Sequence, residues 1–166
     1  DAEAFAQLYD QHLERVYRHV YYRVGRREDA EDLAQQVFLQ AWRAIGRYRR
    51  TQVPFVAWLL TIAHNLVVSF YRRTKETYYL EFDPEFQALW GNPEAEALVR
   101  LDWAAAREAI LHLGPDQQQV IIMRFLDHLD YADIAAALGK TPGNIRVMQH
   151  RALAELRRQL DREAGR

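Results

Sequence analysis

The stretch 130–160, DYADIAAALGKTPGNIRVMQHRALAELRRQL, limits what this chain can fold into more than any other. It predicts two helices joined by a tight turn. Asp130 is placed to N-cap the first helix, with Asp133 at the capping-box position. Ile134, Ala135 and Leu138 recur at helical spacing, and Gly139 follows as a stop. Thr141 can cap the second helix, with Pro142 at its first position, where a missing N–H costs nothing. Ile145, Met148, Ala152, Leu153 and Leu156 give the second helix an apolar stripe. Arg146, Gln149, His150, Arg151, Arg157 and Arg158 are left for its other faces. Two helices packed this tightly need a small residue where they cross and no Cβ at the turn, which Ala135 and Gly139 supply. That is a helix-turn-helix layout, whose second helix can enter the major groove of DNA. An ordinary αα-hairpin with a solvated basic face fits the same stretch, so the rest of the chain has to weigh in.

The chain has 166 residues, 49% of them hydrophobic, enough for one domain or two small ones with real cores. With no cysteine, neither disulfides nor thiolate metal sites are expected, and a reducing cytosol is permitted. The most apolar run, VPFVAWLLTIAHNLVVSF, is interrupted by Thr61, His64, Asn65 and Ser69, so no membrane span is expected. No signal peptide is read in it. The first residue is Asp1 rather than Met, so the numbering is expected to start inside a longer protein. A net charge of −1 argues against a nonspecific polyanion binder, but the charge is unevenly spread. Residues 1–77 carry 12 Lys+Arg against 9 Asp+Glu, residues 78–100 carry 1 against 5, and residues 101–166 carry 9 against 9. An acidic middle therefore hides a basic N-terminal half.

Residues 2–24 predict a first helix, with Phe5, Leu8, Tyr9, Leu13, Val16, Tyr17, Val20 and Val24 at three-four spacing and Gly25 as its end. His12 and His19 lie on it without metal-like spacing and read as surface histidines. Residues 28–46 predict a second helix, whose apolar stripe runs from Ala30 through Leu33, Val37, Phe38 and Trp42 to Ile45. Glu28, Asp29, Glu31 and Asp32 crowd its first turn, where the helix dipole favours anions. Asp32, Gln35, Gln36 and Gln40 leave a polar face suited to another protein. A basic, aromatic loop, Tyr48 to Gln52, precedes a third helix from Pro54 to about Arg73. Phe55, Trp58, Leu59, Ile62, Leu66 and Phe70 read as its core stripe. The aromatics beside Arg72, Arg73 and Lys75 are the chemistry that single-stranded nucleic acid needs, and equally that of a core and a solvated helix end.

Pro84, Gly91 and Pro93 break the helical pattern across 77–94, and Tyr78, Tyr79, Phe82, Phe86 and Trp90 make that linker apolar enough to dock. A fourth helix is predicted over 94–113, a fifth from Pro115, and a turn at Phe125–Leu129. No strand pattern is present. The fold class is thus all-α: two small helical domains, 1–76 and 95–166, joined by the aromatic-rich linker 77–94, the C-terminal one a helix-turn-helix domain. There is no HExxH, phosphate-binding glycine loop, nucleophile elbow or paired-histidine site, so no enzyme, catalytic residue, cofactor or metal is expected.

Taken together, these segments resemble a bacterial sigma factor of the extracytoplasmic-function group. DAEDLAQQVFLQAW (Asp29–Trp42) is similar to the family's polymerase-gripping segment, and PFVAWLLTIAHNLVVSFYRR (Pro54–Arg73) to its −10 recognition and melting segment. LGPDQQQVIIMRFLDHLDYADIAAALGKTPGNIRVMQHRAL is similar to its −35-binding domain. The resemblance implies that Asp29, Asp32, Leu33, Gln36 and Phe38 bind polymerase. It places Tyr48, Arg49, Arg50, Phe55, Trp58, Asn65, Arg72 and Arg73 at the −10 strand, with the loop from Tyr48 to Gln52 capturing a flipped base. It places Arg124, Tyr131, Thr141, Asn144, Arg146, Val147, His150 and Arg151 at the −35 element. Gln36, His64, Ser69, Val147 and Met148 stand where the family commonly has Glu, Arg, Asp, Ser and Arg, so a promoter sequence is not carried over from other members. The implied partners are core RNA polymerase, through the clamp helices of its largest subunit and the flap of the second-largest, promoter DNA, and an anti-sigma factor, without membrane insertion. The implied location is the bacterial cytoplasm, on the nucleoid when active or held near the membrane by an anti-sigma factor. The competing reading is a conventional helix-turn-helix regulator with an N-terminal sensor or dimerisation domain.

Overall fold

A computed structural model of the chain describes residues 1–49, 51–74 and 105–165. The linker and Arg50 lie outside the described residues. All regular structure among those described is helical.

The N-terminal unit is three helices. In α1 (Ala2–Val24) the Asp1 carboxylate accepts from the Glu3 N–H, and Gly25, in the left-handed region at φ 80°, ends the helix. Only a residue without a Cβ takes that conformation at little cost. α2 (Arg27–Ala44) has Glu28 and Asp29 in its first turn and tightens into a 3₁₀ turn at Ile45–Arg47. α3 (Phe55–Thr74) packs on both. Its buried face differs from the expected stripe: Ala57, Leu59, Leu60, Ala63, His64 and Val67 are inside, whereas Phe55, Trp58, Ile62, Leu66 and Phe70 are half-buried. Alanines at 57 and 63 let α3 approach its neighbours closely, which leaves the large rings at the rim. With a mean hydropathy of 1.3, α3 is long and apolar enough by composition to cross a membrane, yet here it packs against α1 and α2 as one helix of a three-helix unit.

The C-terminal unit includes helical residues 105–111 (α4), α5 (Pro115–Ile121), α6 (Tyr131–Leu138) and α7 (Pro142–Ala164). Both predicted caps form: Asp130 accepts from the Asp133 N–H at 2.8 Å and the Thr141 hydroxyl from the Asn144 N–H at 3.2 Å. Gly139 turns the chain at φ 67°. Ala135 and Ile145 are buried in the main core where the two helices meet, Ala152 is buried in a second cluster with Leu113 and Ile121, and Leu153 is exposed, outside the stripe it was assigned to. Before the helix-turn-helix, α5 runs on as a π-helical turn, Ile122–Leu126, which reaches into the start of the turn expected at 125–129. His128 then takes φ 59°, a left-handed conformation uncommon for a residue with a Cβ.

The two units are docked. α3 packs against α6, and Val120, Met123, Leu129, Ile134 and Ile145 join one apolar cluster with the core of α1–α3. This corrects the reading of His19 as a surface residue. The last two turns of α1 are buried nearly all round, including His19, Tyr21, Tyr22 and Arg23, because the other unit covers the face a three-helix unit would leave to water.

Candidate nucleic-acid interface

α7 presents the expected reading face. Ile145 is fully buried against α6, which fixes the rotation of the helix and turns Thr141, Asn144, Arg146, Val147, His150 and Arg151 outward. Arg146 offers the donor fork that recognises a guanine edge, Asn144 the donor-and-acceptor pair that recognises an adenine edge, and the exposed Val147 an apolar tip suited to a thymine methyl. Tyr131, at the start of α6, ties this face to α5. The Arg124 guanidinium lies 4.4 Å and that of Arg146 5.0 Å from its ring centroid. Arg124 is further pinned by donating to the Leu129 carbonyl at 2.9 Å. Three predicted residues from three elements thus form one stacked group.

The N-terminal unit carries a second face of different chemistry. Tyr48 lies 4.9 Å from Trp58 and 5.6 Å from Phe55, ring centre to ring centre, and its hydroxyl donates to the Val53 carbonyl at 2.6 Å. Beside these rings is an open cleft of about 600 Å³, lined by Leu8, Ile45, Tyr48, Pro54 and Phe55. Arg49 folds back, donating to the carbonyls of Gly46 and Tyr48. Asn65, Arg72 and Arg73 are exposed along and at the end of α3. The rings and Arg49 sit at the start of α3, and Arg72 and Arg73 at its far end, roughly 20–25 Å along the helix axis at 1.5 Å per residue; flat apolar surface and cations are the groups that stack bases and follow a phosphate chain.

The polymerase-binding set divides. Asp32 and Gln36 are exposed on α2 and Asp29 is half-buried, but Leu33 and Phe38 are only 2% and 4% exposed. Those two are core residues, Phe38 packing edge-on against Tyr9, so they shape the α2 face from beneath. Two residues go the other way. Leu39, not singled out from the sequence, and Trp42, assigned to the buried stripe, are 49% and 43% exposed. They sit about two and three turns along from Asp32, on the same side of the helix as Gln35 and Gln36. The glutamines on either side were the only sequence signal that this side of α2 faces outward.

Residues 8–77 match the family described as Sigma-70 region 2, and residues 103–156 match Sigma-70, region 4. The chain is similar to the ECF RNA polymerase sigma factor BldN of Streptomyces coelicolor, 39% identical over 99% of this chain and 63% of the relative's length. It thus spans less than two thirds of that relative. SigD of Mycobacterium tuberculosis, also an ECF RNA polymerase sigma factor, is 34% identical over 86% of this chain and 70% of its own. Among solved structures, CnrH in complex with the cytosolic domain of CnrY has a TM-score of 0.67 at 23% identity, covering 97% of this chain and 90% of that one. The sigma factor RpoE in complex with the anti-sigma factor NepR, from Bartonella quintana, has a TM-score of 0.64 at 23% identity, covering 96% and 98%. At that identity the likeness concerns the fold, and it extends across both units.

Proposed function

The chain belongs to the sigma-70 family, in its extracytoplasmic-function group, and we propose that it binds core RNA polymerase, directs it to specific promoters and starts transcription there. In this reading the C-terminal unit, 95–166, reads the −35 element as duplex through α7. The N-terminal unit, 1–76, reads the −10 element as melted single strand on the Tyr48–Phe55–Trp58 rings, with Arg72 and Arg73 following its phosphates. The face of α2 around Asp32, Gln36, Leu39 and Trp42 meets the clamp helices of the largest polymerase subunit, and the C-terminal unit meets the flap. The polymerase supplies the chemistry and this chain supplies recognition. An anti-sigma factor is the expected controlling partner, and the cytoplasm, with the nucleoid when active, is the place of action.

The observation that carries this reading is the presence, on one chain, of two unlike nucleic-acid faces. A basic, hydrogen-bonding helix face suits the major groove, and an aromatic cleft suits unstacked bases. Promoter opening needs both at once. A conventional regulator gives the aromatic cleft and the region 2 match no role.

Transcription in vitro with purified core polymerase, with and without the chain, tests the proposal on a library of candidate promoters. Specific start sites are expected only with the chain, and their aligned upstream sequences should show two elements. Arg146→Ala should lower initiation from those sites and spare core binding. Core binding without any start site would leave an adaptor and overturn the proposal.

A further inference from the structure

One histidine on α1 belongs neither to the seam between the units nor to a solvated face. His12 is half-buried, not the surface residue its spacing suggested, and its ring lies against Phe55, 5.2 Å centre to centre and tilted by 45°. Leu8, one turn earlier on the same face of α1, lines the aromatic cleft of the N-terminal unit, as does Phe55. His12 therefore stands at the rim where α1 borders the cleft beside the start of α3. It ends a row of rings that runs Trp58, Tyr48, Phe55, His12, with neighbouring centres 4.9, 5.6 and 5.2 Å apart. Its nitrogens hold no hydrogen bond among the described residues, whereas those of His19 and His64 do.

We propose that His12 is a specificity-determining residue of this cleft: it hydrogen-bonds the edge of the unstacked base that the Tyr48 and Phe55 rings receive. The inference rests on the reading of the cleft as a single-strand site given above, and names the group that discriminates between bases there.

The cleft by itself is a poor discriminator. Leu8, Ile45, Pro54 and Phe55 carry no polar side-chain atom, and the Tyr48 hydroxyl already donates to the Val53 carbonyl. The Arg49 guanidinium is turned to the carbonyls of its own loop. Every base has a π-face, so stacking on rings tolerates any of them. A base edge that enters such a lining gives up water, and its donors and acceptors are costly to leave unpaired. An imidazole at the rim meets that need. Burial first, then the charge of Arg15, hold the His12 pKa below its ordinary 6.5, so the ring is neutral at neutral pH. A neutral imidazole carries one N–H donor and one nitrogen acceptor, and the edges of the four bases answer that pair differently. Contact with Phe55 restricts the ring, so the pair is presented in a limited range of directions before any base arrives.

The test uses the full chain bound to core polymerase and fork-junction promoter DNA. The −10 non-template strand is single-stranded and carries each of the four bases in turn at every position. His12→Phe keeps a ring against Phe55 and removes both hydrogen-bonding nitrogens; His12→Ala removes the ring as well. Wild type should prefer particular bases at one position. His12→Phe should cut that preference about two- to tenfold, the worth of one hydrogen bond, and leave preferences at the other positions unchanged. His12→Ala should lose the same preference and weaken binding of all four bases besides. Each variant is compared with itself across the four bases, so a lower folded fraction cancels. A preference in His12→Phe equal to that of wild type would overturn the proposal. So would an equal loss for all four bases at every position, which would make His12 a packing residue only. A wild-type complex without any −10 preference is a distinct result: it would overturn the single-strand reading of the cleft, and the role of His12 with it.

Discussion

Tyr131 shows how a residue can matter to recognition without reading anything. Two guanidiniums lie within 4.4 and 5.0 Å of its ring centre, and one of them, Arg146, is exposed on the reading helix. A cation over an aromatic face gains about 0.5–1 kcal/mol at an exposed site and more when desolvated. Part of the entropy lost when Arg146 meets a base is then already lost in the folded chain. Tyr131→Ala should weaken specific promoter binding by the polymerase complex roughly tenfold, about 1.4 kcal/mol, while Tyr131→Phe should keep it. Binding titrations on matched and −35-substituted promoters check this; a Phe variant as weak as the Ala variant would make the hydroxyl, not the ring, the working group. His64 carries a different consequence. Burial first, then the charge of Arg23 and the neighbouring His19, hold its pKa down to about 2 from 6.5. The folded chain therefore refuses a proton that the unfolded chain accepts. The stability this residue contributes is full above pH 6.5 and drains away as the pH falls below that, by about 1.4 kcal/mol per pH unit for one proton. Urea titrations at pH 7.0 and 5.5 should show wild type losing on the order of 1–2 kcal/mol more than His64→Gln, which keeps an acceptor for Arg23 but does not titrate. Equal losses would remove His64 as the source.

At the scale of elements, what the sequence disclosed was local. Asp130, Gly139, Thr141 and Gly25 act within four residues of themselves, and each cap and stop forms as its chemistry requires. What it did not disclose was set by partners far along the chain. Phe55 and Trp58 satisfy a helical spacing as well as any core residue, and only the close approach allowed by Ala57 and Ala63 puts them at the rim, where they can serve a ligand. Leu33 and Phe38 carry the family's pattern but lie inside, whereas Trp42, read as core, lies half outside and rests its edge on Phe5. The α2 face is thus polar with an apolar centre, the composition of a protein-binding patch. Leu39→Ser should lower affinity for core polymerase several-fold. It should shift the melting temperature little, because the side chain is 49% exposed and gives up little burial. A surface-binding assay against immobilised core, paired with thermal unfolding, separates the two effects. Unchanged affinity would take Leu39 out of the interface.

The whole molecule is poorly equipped to find a promoter alone. Its 22 basic and 23 acidic side chains give no net field to draw in DNA, and the basic groups that suit DNA are divided between two units. A single helix-turn-helix face gives the affinity of one half-site. In the proposed function, the second face meets a strand that is exposed only after the duplex has opened. Two weak sites add through effective concentration only when something holds them at the right separation. The burial of His19 against Asp127 was invisible to a reading of α1 by itself, because the partner lies 108 residues along the chain. The free chain should therefore give no footprint on a promoter at about 0.15 M salt, where contacts to a few phosphates are largely screened. Lowering the salt should bring only sequence-independent binding, with a log–log slope that falls by about one for each phosphate-contacting Arg removed. With core polymerase present, the same chain should protect both elements at physiological salt. A tight, sequence-specific footprint by the chain alone would mean that it reads promoters unaided, without depending on polymerase.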